Sequence, residues 1–168
     1  DGTDLAANAT GDFRTLFNTI LGAAQAGSST AYSFAVTTGS GLTDVATGSK
    51  IILEAIGNVV EGRLLDVPAT VAFRLTVAPD GTATLDQMRA LRHGDHGNPD
   101  ESVSLSPTVI RLTATVTDGD GDAASATISI GNALVFKDDG PSLHAVSTDA
   151  NTILLTTQDG DTRGAAFD

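Results

Sequence analysis

The sequence predicts an all-β protein, an antiparallel immunoglobulin-like β-sandwich with short helical turns at most. Three observations carry that expectation. Apolar and polar residues alternate with period two along one stretch after another, which is the signature of a half-buried strand. The apolar residues are mostly Ala, Val, Leu and Ile, with six Phe, one Tyr and no Trp, so the core is built from small and branched side chains. Eighteen Gly together with abundant Ser and Thr punctuate the pattern, as many short strands joined by tight turns require.

Each element follows from its own residues. Helical evidence is thin: Asp12 suits the cap of a turn through Phe13-Arg14-Thr15-Leu16-Phe17, which the sequence leaves open. Tyr32, Phe34 and Val36 alternate with polar or small residues and predict a strand. Ile51 to Ile56, a Gly57-Asn58 turn, and Val59 to Leu64 predict a hairpin. In Val71-Ala72-Phe73-Arg74-Leu75-Thr76-Val77 the odd positions are large and apolar. Pro79-Asp80-Gly81 then turns the chain, and Thr82 to Leu85 starts the return strand. The stretch Leu85 to Leu91 fits one or two helical turns about as well as a continuing strand. Ile110, Leu112, Ala114 and Val116 point one way, with Arg111, Thr113, Thr115 and Thr117 on the other face. After an acidic loop, Ala124, Ala126, Ile128 and Ile130 are expected to face inward, and Leu134 to Phe136 to form a short strand. Gly140-Pro141 reads as a module boundary, since Pro ends a ladder and Gly frees the chain to turn. The expected domains are therefore a sandwich module over 1–141 and a boundary segment over 142–168. Within that segment Thr152 to Thr156 predicts one more strand. The tail Gln158 to Asp168 echoes the opening Asp1 to Phe13, as it would if the next repeat began there.

Charge narrows the function. The 168 residues carry nine Lys and Arg against 21 Asp and Glu, a formal net charge of −12. Nucleic-acid binding needs a basic face to displace condensed counterions, and docking on anionic lipid needs one too. Clustered carboxylates instead repel one another until a cation gathers them. Cysteine is absent, which removes disulfides and thiolate zinc sites. No stretch approaches the roughly twenty apolar residues of a membrane helix.

The sharpest local feature is Thr117-Asp118-Gly119-Asp120-Gly121-Asp122, three carboxylates alternating with two glycines between two strands. The glycines let the backbone curl so that the carboxylates converge, and hard oxygen ligands of this kind suit calcium. An EF-hand loop is excluded, because Ala123 stands where Gly is required and Ser129 where the bidentate Glu belongs. The alternative is a solvated hairpin loop without an ion. Asp138 and Asp139 lie at a strand end before the boundary, either as ligands between successive modules or as an ordinary acidic turn. His93-Gly94-Asp95-His96-Gly97-Asn98-Pro99-Asp100-Glu101 groups two histidines with three acids. Its spacing offers no fixed helical face, so it reads as a polar loop. If it binds an ion, Asp95, Asp100 and Glu101 are the ligands for calcium. No Gly-x-Ser-x-Gly elbow and no phosphate loop occur, and the expectation is a non-enzyme.

Several ordered segments then carry a resemblance. Gly41-Leu42-Thr43-Asp44-Val45-Ala46-Thr47-Gly48, Val60-Glu61-Gly62-Arg63, Leu85 to His93, Asn98-Pro99-Asp100-Glu101, Leu112 to Asp122 and Phe136-Lys137-Asp138-Asp139-Gly140-Pro141 resemble the repeat of giant RTX-type adhesins exported by type I secretion in Gram-negative bacteria. The resemblance runs from about Asp12 to Pro141. It implies a tandem module of a long, calcium-dependent surface protein that attaches cells to surfaces or to each other in biofilms. It implies Ca2+ as the bound ion, neighbouring repeats of the same chain as partners, and an extracellular or cell-surface location. The family's acidic loop maps onto Asp118, Asp120 and Asp122, and its strand-end acids onto Asp138 and Asp139. Lys137 departs from the family, which more often has an acid there. An extender role is the leading expectation, and a module that itself binds a glycan or protein is the alternative.

Overall fold

The computed structural model describes residues 7–18, 26–95, 98 and 101–137. It is an all-β antiparallel sandwich. The strands are β1 (Ala7–Asp12), β2 (Ser29–Val36), β3 (Gly39–Thr43), β4 (Lys50–Ile56), β5 (Val59–Leu64), β6 (Val71–Val77), β7 (Thr82–Gln87), β8 (Ser102–Ser104), β9 (Ile110–Thr117), β10 (Ala123–Ser129) and β11 (Val135–Lys137). Short 3-10 turns cover Phe13–Leu16, Pro107–Val109 and Gly131–Ala133.

Strands β3 to β7 run as a meander, and β1 closes its far side in the order β1-β7-β6-β5-β4-β3. A second sheet has the order β10-β9-β2, and β11 pairs with β8. The meander arises from turn chemistry. Ile56 faces Val59 across a two-residue loop, and Gly57 takes a positive φ of 59°, which such hairpins demand and a Cβ disfavours. Pro79-Asp80-Gly81 makes the next turn, with the Asp80 carboxylate accepting from the Thr82 N–H at 2.9 Å. The Asp12 carboxylate caps the first 3-10 turn by accepting from the Arg14 N–H at 2.9 Å, which decides a turn that the sequence leaves open.

The two larger sheets are stitched by backbone as well as side chains. The Phe34 N–H of β2 donates to Gly57 O, in the β4-β5 turn, at 2.9 Å. Between them sit Ile51, Leu53, Val60, Leu64, Phe73, Leu75, Val77, Ile110, Leu112 and Phe136, all buried. Each such side chain contributes about 1.5–3 kcal/mol on leaving water. Phe73 and Phe136 meet with ring centroids 4.9 Å apart at 52°. Gly62 lies directly across from Phe73, and a Cβ on it would stand 2.2 Å from the ring. The glycine of Val60-Glu61-Gly62-Arg63 is thus the slot that receives the central aromatic.

The structure settles or corrects several sequence expectations. The stretch from Leu85 continues β7 to Gln87 and then runs without helix. Strands β1, β3 and β8 were not expected, because their residues are too small, too polar or too few to alternate. Along β10 the expected inward face is only partly buried. Ile130 is buried and Ile128 half-buried, but Ala124 and Ala126 are exposed. The alternation is right, but among the described residues β10 is an edge strand, and Phe17 and Asn18 line an open hollow over the inner side of its first half without burying it. Asp138, Asp139, the Gly140-Pro141 boundary and the expected strand at Thr152 to Thr156 lie outside the described residues.

Candidate metal centre

Strands β9 and β10 pair in register from Ser129 opposite Arg111 to Ala123 opposite Thr117. The five residues Asp118 to Asp122 therefore form a closed hairpin loop at the end of the ladder. The Asp118 N–H donates to Asp122 O at 3.0 Å. In return the Asp118 carboxylate accepts from the Asp122 N–H at 2.9 Å and the Gly121 N–H at 3.2 Å. Gly121 has φ 101°, a conformation reserved for glycine, and it curls the loop back on Asp118.

The result is a convergence. One oxygen each from Asp118, Asp120 and Asp122 lie within 4.8 Å of one another. Two oxygens bound to one calcium at about 2.4 Å can be at most about 4.8 Å apart, so the spacing allows the three to share an ion. Asp118 is half-buried and the other two exposed. The Asp118 carboxyl is held below its ordinary range, first by a side-chain hydrogen bond with Asp120 and then by the backbone N–H groups of Asp122, Asp120 and Gly121, against a desolvation that raises it. The loop thus keeps a carboxylate ionised. Among the described residues no Lys or Arg pairs with any of the three, and no other group of three or more acidic or histidine side chains converges in this way. Three carboxylates supply at most six oxygens, enough with water for the 6–8 that calcium takes.

The histidine-rich stretch behaves differently. His93 is 9% exposed, and its Nδ1 is buried without a hydrogen-bond partner. One Glu101 oxygen accepts from the Asp95 N–H at 2.6 Å. His93, Asp95 and Glu101 do not converge as ligands; His96 and Asp100 lie outside the described residues.

Two charged constellations were not anticipated. Asp44, only 1% exposed, accepts from Arg89 through Nε at 2.8 Å and Nη2 at 2.9 Å, and from the Thr47 N–H at 2.8 Å and hydroxyl at 2.6 Å. The Arg89 hydrogen bonds, with those of Thr47, hold its carboxyl at about 2 against the opposing effect of burial. The backbone follows the same seam: Asp44 bridges to Leu91, the Val45 N–H donates to Ala90 O at 3.0 Å and the Arg92 N–H to Thr43 O at 2.8 Å. On the outer face of the meander, Glu61 binds Arg63 and Arg74, the latter at 2.7 Å, while Arg63 reaches Glu54 at 3.1 Å. Burial raises the Glu61 carboxyl, and Arg74 and Arg63 together bring it below its ordinary value. A shallow groove of about 400 Å³ beside them is lined by Glu54, Ile56, Val59, Glu61 and Arg74. The first joins residues 45 positions apart and the second spans the consecutive strands β4, β5 and β6, and only the presence of Asp44, Arg89 and Glu61 in the ordered motifs signalled them.

No curated protein and no solved structure was found to match the chain. Residues 1–131, most of its length and including the Asp118 to Asp122 loop, match the family described as "Domain of unknown function (DUF5801)", and the chain belongs to that family.

Proposed function

We propose that the chain is a non-catalytic, calcium-binding extender repeat of a long secreted bacterial surface adhesin, supporting cell attachment or biofilm formation. One observation carries the reading: Asp118, Asp120 and Asp122 converge within 4.8 Å on a hairpin loop that has no basic partner among the described residues. Two further features support it. The net charge of −12 without cysteine leaves cations as the staple, and among the described residues no helix is long and apolar enough to cross a membrane. In a calcium-poor cytoplasm the three carboxylates repel, and only the hydrogen bonds of Asp118 hold the loop. Outside, a site of ~0.1 mM affinity at ~10 mM calcium adds about 2.7 kcal/mol to stability. That is large beside a total of ~5–15 kcal/mol. Neighbouring repeats of the same chain are the partners in this reading.

A glycan-binding module would need an exposed aromatic beside a calcium of open coordination. Every described Phe, and Tyr32, is buried or half-buried, so no specific observation favours that alternative. The test is thermal unfolding in excess chelator and in ~10 mM calcium, with magnesium as control. The reading expects a calcium-specific rise of several degrees that Asp120→Ala abolishes. Equal responses to both ions, or a rise that survives in the variant, would sink it.

A further inference from the structure

We infer that β10 is a self-association edge, which pairs antiparallel with β10 of a second copy of this chain. Among the described residues β10 has one hydrogen-bonded neighbour, β9, and its other edge is open. Natural sheet edges are blunted by charge, proline, bulges or a covering segment. β10, Ala-Ala-Ser-Ala-Thr-Ile-Ser over Ala123–Ser129, has no charge, no proline and no register shift in its ladder. Other edges are managed: β3 carries a register shift, and β2 commits the Phe34 N–H to Gly57 O.

The strand is complementary to itself about Ala126. An antiparallel two-fold centred there sets Ala126 opposite its own copy, Ala124 opposite the partner's Ile128, and Ser125 opposite the partner's Thr127. The outer face already carries a hydroxyl ladder across β9 and β10, Thr113 to Thr127 at 2.8 Å and Thr115 to Ser125 at 2.8 Å. The new pair extends that ladder by one strand. On the inner face it brings the exposed Ala124 and Ala126 against the partner's apolar positions, covering surface that the described residues leave exposed.

Charge selects the second copy and its direction. A parallel pair would set two acidic loops side by side. The antiparallel pair separates them by the length of the strand, about 25 Å at ~3.4 Å per residue, beyond the ~8 Å screening length of physiological salt. It also sets the partner's Ala123, next to its Asp122, opposite Ser129, whose other neighbour is Arg111. Arg111 is exposed on the outer face and has no carboxylate partner among the described residues. Two strand spacings, about 10 Å, separate it from the partner's loop, within reach of two long side chains.

Sedimentation velocity of the whole chain up to ~1 mM, the weak end of specific association, reads the dimer directly. The sedimentation coefficient is expected to rise with concentration. Ala126→Lys and Ala126→Glu, each at an exposed position, should remain monomeric alone and dimerise when mixed, and Arg111→Glu should weaken the wild-type dimer. The chain has no cysteine, so Ala126→Cys should give a disulfide-linked dimer under mild oxidation. Ala123→Cys should not, because its two copies would lie ~20 Å apart, far past the ~7 Å that a disulfide spans. A monomer at every concentration, equal linking of both cysteine variants, or no rescue on mixing overturns the inference.

Discussion

Replacing Arg89 by Met isolates the energetic role of the buried pair it forms with Asp44. Asp44 is 1% exposed, and its carboxyl falls from 3.8 to about 2 in the folded chain. At ~1.4 kcal/mol per unit, that displacement corresponds to about 2 kcal/mol of pH-dependent stability. The sign follows from the lowered value: the contribution is complete above pH ~4, where Asp44 is ionised in both states, and is lost as pH falls towards ~2. Arg89→Met removes the cation and leaves the carboxylate buried with Thr47 alone. Stranding one member of such a pair costs about 3 kcal/mol, or about 10 °C in Tm for a domain of this size. Because burial then raises the carboxyl, acid should relieve the variant while it weakens the wild type. Urea unfolding at pH 7 and pH 3 should therefore show a gap of about 3 kcal/mol that shrinks by at least about 1 kcal/mol, since about half of the wild-type contribution is lost by pH 3. Asp44→Asn should rescue part of the loss in the Arg89→Met background. A gap below ~1 kcal/mol, the range of exposed pairs, or one that widens in acid, would refute the reasoning.

Three further outcomes can be stated. Gly62→Ala places a Cβ 2.2 Å from the ring of Phe73, which Phe136 prevents from moving; the urea midpoint should fall by about 1–3 kcal/mol equivalent. Glu61→Gln removes the carboxylate that joins Arg63 to Arg74, and should cost about 1 kcal/mol at low salt and less in ~1 M salt, by thermal unfolding at both ionic strengths. Asp118→Asn should weaken calcium binding by isothermal titration and also lower the stability of the calcium-free chain slightly, since Asp118 organises the loop through the Asp122 and Gly121 N–H groups; Asp120→Asn, whose amide can still donate to Asp118, should weaken calcium binding without that loss.

The residues that reported themselves in the sequence are those whose neighbours are local. Strands β4 to β7, β9 and β10 alternate, and their hairpin turns carry Gly and Asp, so side-chain pattern and turn chemistry agree. Asp118, Asp120 and Asp122 were legible for the same reason: one loop holds all three, and glycine between them permits convergence. β3 and β8 were illegible, because Gly39–Thr43 and Ser102–Ser104 become strands only through the backbone partners that tertiary structure brings. The exposure of Ala124 and Ala126 was hidden likewise, since period two reports which face a residue shares and not what covers that face. Asp44 and Arg89 are separated by 45 positions, and only the meander of β3 to β7 sets one beside the other.

The pairing of β2 with β9 has a consequence for the order in which the chain folds. Ser29 faces Thr117 and Val36 faces Ile110, whereas each meander hairpin closes a loop of a few residues. Closing ~80 residues costs about 2–3 kcal/mol more in chain entropy than closing about four, and contacts of such long range form slowly. Hairpins β4-β5 and β6-β7 can zip on the microsecond scale, but Ile51, Leu53 and Val60 stay wet on one side until β9 arrives to carry β2 over them. A growing chain therefore holds a half-built sandwich until its residues up to Thr117 are free, and the docking of β2 is the step that closes it.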